Sequence, residues 1–223
     1  MAGKKRKRDN ASSRTNKKSK GFVRTGGYYG RYTGTTPEIK FNDQTVATDA
    51  AVASAGTIPY SSFVAIAQGT GESDRIGRKC IVKTVHLRGA LKLPATATAA
   101  NAAVRCRMLV VADKQCNGAQ YSITDVLETA NVDSFRNLSN SQRFLIFMDK
   151  TYVLNAKAGI SASFGENLVP LMWNKTMRLP IEYSSTTGTL SEVRSNNLNC
   201  FLIADTDAVV LATIRIRVRF SDS

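Results

Sequence analysis

A chain of 223 residues that is 43% hydrophobic can build one sizeable core, which excludes an intrinsically disordered protein. Its 31 Lys and Arg against 17 Asp and Glu give +14, and residues 1–32 hold eleven of those cations with one acid, Asp9, a net +10. One histidine, His86, and acids with no close pair in a recognisable motif exclude catalytic triads and His-ligated zinc sites, so neither an enzyme nor a metal or organic cofactor is expected.

The N-terminus is read as an arm, residues 1–34, ahead of a domain over residues 35–223. Lys4, Lys5, Arg6, Lys7 and Arg8 form one basic cluster and Lys17, Lys18 and Lys20 a second, with Arg14 between them. Such blocks repel themselves and bury nothing apolar, so the arm is expected to be disordered without a polyanion and to bind nucleic acid. The two clusters also suit the acidic grooves of a host nuclear import receptor. Residues 21–34 interleave Phe22, Tyr28, Tyr29 and Tyr32 with Arg24 and Arg31. Aromatic faces can stack on unpaired bases while guanidiniums meet phosphates, or the segment is a linker whose aromatics tuck under the domain.

The domain reads as strands. Glu38–Val46 alternates weakly and is expected at a sheet edge. The strand from Lys79 to Leu93 is the one the others need: Ile81, Val85, Leu87, Leu91 and Leu93 are apolar at odd positions, and Thr84, His86, Arg88 and Lys92 are polar at even ones. Val82 and Lys83 break the pattern, and Gly89 is expected to mark a bulge or bend. Further strands follow at Val104–Ala112, Arg143–Leu154, Leu171–Tyr183 and Asn199–Asp205, with a short helix capped by Ser122. Three of the four cysteines lie in strand-like runs and read as small buried hydrophobes in a reducing compartment. No signal peptide or membrane span is expected.

The last strand, Val209–Phe220, sends Ile214, Ile216, Val218 and Phe220 one way and Arg215, Arg217 and Arg219 the other. That makes a basic ridge about 13 Å long. It can track a nucleic-acid backbone, pair with acids of a neighbouring subunit, or stand in solvent. Glu72/Asp74 and Asp205/Asp207 read as turn acids, with calcium as the minority alternative. Seven or eight strands with almost no helix, unequal in length and joined by long loops, predict an all-β fold, an eight-stranded jelly-roll β-sandwich.

Gly69-Thr-Gly-Glu-Ser-Asp-Arg-Ile-Gly-Arg-Lys79 running into a strand ending Leu87-Arg-Gly89, Arg143-Phe-Leu-Ile-Phe-Met-Asp-Lys150, Gly188–Leu198 and Arg215–Phe220 occur in that order. This order resembles the capsid proteins of circular Rep-encoding single-stranded DNA viruses, the circovirus-like group. Less closely, the chain is similar to the capsids of small single-stranded RNA satellite viruses. The resemblance implies a homo-oligomer of about sixty copies closing an icosahedral shell. It implies too a virion protein that visits the host nucleus and packages single-stranded nucleic acid, expected to be circular DNA, on its arm. The competing function class is a nuclear nucleic-acid-binding protein that does not assemble.

Overall fold

The structure, a computed structural model, describes residues 38–93, 103–155, 168–207 and 209–222. Eight strands run β1 (Ile39–Val52), β2 (Lys79–Lys92), β3 (Ala103–Asp113), β4 (Phe144–Asn155), β5 (Leu168–Tyr183), β6 (Val193–Ser195), β7 (Asn197–Ala204) and β8 (Val210–Asp222). One sheet has the order β1-β8-β2-β5-β6 and the other β4-β3-β7, and every pairing is antiparallel.

The stretch 53–63 lies along the free edge of β7. Thr57 and Leu202 exchange backbone hydrogen bonds of 2.7 and 2.9 Å, and Phe63 N donates to Leu198 O at 2.7 Å. It fills a fourth place in the second sheet without regular strand geometry. The chain then visits the sheets in the order one, two, one, two, two, one, two, one, with β6 a short addition to β5. This is the jelly-roll path, and it closes a sandwich from strands distant in sequence.

The core between the sheets takes Val85, Leu87 and Leu91 of β2 and Ile214, Ile216, Val218 and Phe220 of β8, against Val104, Cys106 and Met108 of β3 and Leu202 of β7. The second sheet is buried on its outer face as well. There Leu109, Val111, Phe201 and Ile203 pack under Tyr121, Ile123, Val126 and Leu127. The last three of those sit on or beside the single-turn helix α1 (Ile123–Val126), started by a capping box between Ser122 and Asp125. Double coverage is why β7 is buried at all eight positions and reads as an apolar run from Cys200 to Ala204, with the buried Asn197 and Asn199 before it. Among the described residues the first sheet has no such cover on its outer face.

The bulge in β2 is at Lys83, not at Gly89 as its sequence suggested. The register shifts between Val82 and Thr84 against both neighbours. One extra residue inverts the alternation, so Cys80 and Val82 are buried before it, and Val85 and Leu87 after it. Ile81, expected on the apolar face, is only half-buried. Gly89 stays in register, and the position needs glycine because a Cβ there would sit 2.0 Å from Thr213 O on β8.

All four cysteines are free and buried. Burial pushes the Cys80 thiol up to about 11 and Cys106 up to about 12, so both stay protonated and inert. Among the described residues no group of three His, Cys, Asp or Glu could hold a metal ion. No helix there is long and apolar enough to cross a membrane.

Leu87 is 1% exposed, opposite Trp173 and Ile216, while its neighbour Arg88 faces outward and is exposed. Leu87→Asp is expected to abolish soluble expression, since an unpaired buried charge costs several kcal/mol against a stability of about 5–15 kcal/mol. Arg88→Asp keeps the fold. Equal behaviour in a soluble-expression assay would refute this register.

Candidate nucleic-acid interface

The outer face of the first sheet carries three rows of side chains set by strand register. Thr45, Arg215, Arg88 and Met172 form one row, and Asp43, Arg217, His86 and Asn174 the next. Phe41, Arg219, Thr84 and Thr176 form the third. Alternation along β8 produces this face: every second residue from Ile214 to Phe220 is buried, which turns Arg215, Arg217 and Arg219 outward. Between β1, β8 and β2 lies a shallow trough of about 800 Å³, lined by Phe41, Thr45, His86, Arg88 and the three arginines.

The three arginines are not equivalent. Arg217 donates to both carboxylate oxygens of Asp43, each at 2.6 Å, and its guanidinium lies 5.3 Å from the centre of the Phe41 ring. That hydrogen bond holds the Asp43 carboxyl below its usual range and raises Arg217 in return. Both groups are about half exposed, so the pair adds little stability. Its effect is to neutralise and fix Arg217. Arg215, Arg219 and Arg88 have no side-chain partner among the described residues. Arg215 also stands directly opposite Arg88. Like charges facing across a strand pair repel, and no acid lies between them in the register. The ridge is therefore two unpaired cations flanking a neutral centre, with a third beside them on β2.

The other candidates resolve differently. Lys4, Lys5, Arg6, Lys7, Arg8, Arg14, Lys17, Lys18, Lys20, Arg24 and Arg31, the expected phosphate-binding and import residues of the arm, lie outside the described residues. Three of the four turn acids have structural partners for their carboxylates. Asp74 accepts from Gly71 N at 3.2 Å, Asp205 pairs with Arg105 at 3.3 Å, and Asp207 accepts from Ser54 N at 2.6 Å. Elsewhere Arg107 and Arg136 converge on Asp149, and Arg143 grips the buried Asp113 with two bonds of 2.9 and 2.7 Å. Those cations are committed to the fold. Phe41 and Arg88 were not singled out by sequence. The available signal was their period-two spacing with Asp43 and His86, which acquires meaning only once β1, β8 and β2 are adjacent.

A family model described as satellite tobacco necrosis virus coat protein matches residues 32–223. The chain belongs to the satellite tobacco necrosis virus coat protein family. No curated protein matches it. Family membership makes it a viral capsid protein and corrects the resemblance to circular DNA virus capsids, because the matching capsid is of the RNA-virus type.

The reason for the miss is physical. In Gly69–Lys79, Arg75 is wholly buried and the Asp74 carbonyl holds Lys40 at 2.9 Å. In the segment starting at Arg143 the arginine clamps Asp113. In Gly188–Leu198, Glu192 accepts backbone hydrogen bonds from Thr187 and Gly188 at 3.0 and 2.8 Å. These motifs serve a jelly roll's loops. They say nothing about which nucleic acid it encloses.

Proposed function

We propose that the chain is the coat protein of a small satellite-type RNA virus. About sixty identical copies close an icosahedral shell, and each contributes an arm of net +10 that neutralises single-stranded RNA. The observation that carries this reading is the family match over residues 32–223. The open basic face of the first sheet supports it, since Arg215, Arg219 and Arg88 form no ion pairs among the described residues while most other described arginines near acids do.

Binding of this kind is sequence-independent and steep in salt, because each phosphate contact releases counterions. A 32-residue arm reaches roughly 100 Å when extended, far enough to follow RNA across a small lumen. The experiment is velocity sedimentation of the purified full-length protein. The reading predicts megadalton nucleoprotein particles with a raised ratio of absorbance at the nucleic-acid maximum. Small oligomers free of nucleic acid would return the chain to the class of non-assembling binding proteins.

A further inference from the structure

We propose that the trough on the outer face of the first sheet is a subsite for a short unpaired stretch of RNA, one base stacked on Phe41 and the phosphates along it held by Arg219, Arg215 and Arg88. The proposal deepens the packaging reading and rests on it.

Phe41 is the large aromatic ring among the described residues that line the trough, and 40% of its surface is exposed. It stands beside Arg219 in the strand register and beneath the guanidinium of Arg217. Asp43 grips Arg217 by both oxygens, so this guanidinium supplies a fixed plane and little net charge. An aromatic ring next to a pinned guanidinium, both open to solvent, is the platform on which a base stacks without regard to its identity.

The unpaired charges lie where a strand passing over that platform would place its phosphates. Arg219 is directly opposite Phe41, and Arg215 is about 13 Å further along β8. A phosphate between Arg215 and Arg88 would relieve the repulsion of two guanidiniums that face each other across adjacent strands. A duplex fits this arrangement poorly, because its bases are already stacked and paired, and a lone aromatic ring reads only a splayed base.

The test uses full-length protein and three probes of equal length: oligouridylate, an abasic oligoribose phosphate and an RNA duplex. The arm's charges meet the same phosphates in the first two probes and cancel in their ratio, and any stacking by Phe22, Tyr28, Tyr29 and Tyr32 is common to wild type and the Phe41 variants and cancels between them. Wild type is expected to bind oligouridylate about five- to hundred-fold more tightly than the abasic strand. Phe41→Leu is expected to cut that preference severalfold while leaving abasic binding unchanged, and Phe41→Trp to restore it with quenching of the new indole. Arg219→Gln is expected to weaken both single strands and to reduce the salt slope by about 0.7. Equal binding of oligouridylate and abasic strand by wild type, a preference undiminished in Phe41→Leu, or tighter binding of the duplex overturns the subsite alone. Failure of every probe to bind overturns the packaging reading with it.

Discussion

Arg75→Leu is expected to give insoluble protein, although the substituted residue sits in a loop and the replacement is apolar. Arg75 is 0% exposed. Its Nε donates to Ile66 O at 2.9 Å, and its terminal nitrogens donate to Gly77 O and Ser185 O. Its guanidinium carbon lies 3.9 Å above the Tyr183 ring. The residue thus ties the run at 63–66, the loop entering β2 and the turn after β5 to one point. Among the described residues no acid forms an ion pair with it, so it is held by carbonyl dipoles and a ring face. Leucine would leave three buried carbonyls unpaired at about 1–3 kcal/mol each, a large part of a stability of about 5–15 kcal/mol. Arg75→Lys keeps the charge but cannot fork toward three acceptors, and should fold with a melting temperature lowered by about 10 °C. Soluble Arg75→Leu protein melting like wild type would show that the staple is dispensable.

Changing Lys4–Arg8 and Lys17, Lys18 and Lys20 to glutamine should produce shells that are empty or do not form, with the β-rich circular dichroism and cooperative melt of the domain unchanged. These positions hold eight of the eleven cations in residues 1–32. With about ten charges engaged on single-stranded RNA, the slope of log K against log salt approaches roughly −7 per arm, and an arm that engages fewer gives a shallower one. The neutralised variant keeps little of that slope. Wild-type RNA content in gradient-purified variant particles would contradict the arm's role and move the load onto Arg215, Arg219 and Arg88.

Much of the first sheet was legible because one of its faces is wet. Alternation in β8 survives in the structure from Ile214 to Phe220. In β5 the spacing put Leu171, Trp173, Met177, Leu179, Ile181 and Tyr183 on one face, and Trp173 and Met177 are only half-buried, with Asn174, Lys175 and Thr176 all exposed between them. In β2 the same reasoning placed the strand but mislaid its first half. A bulge is one residue, and Val82 followed by Lys83 was its trace in the sequence. The stretch 53–63 was hidden for a different reason. Its pairing with β7 is irregular, so nothing repeats at period two.

Arg75 looked like any loop cation, since burial of a guanidinium by three carbonyls from separate loops leaves no local pattern. The trough was half legible. The three β8 arginines announce a charged face, but the neutralisation of Arg217 depends on Asp43, 174 residues away. The family resemblance failed for a related reason: three of the motifs that carried it hold loops and strand ends together through Arg75, Arg143 and Glu192, and such contacts carry no information about a nucleic acid.

The most direct measurement is the chemistry of the enclosed polymer. Full-length protein is recovered from the host that expresses it, particles are purified on a gradient and stripped of external nucleic acid, and the contents are extracted and divided between a ribonuclease and a deoxyribonuclease. The account predicts single-stranded RNA, destroyed by the first enzyme and untouched by the second. Contents that resist ribonuclease and yield to deoxyribonuclease, or particles with no nucleic acid, would contradict it.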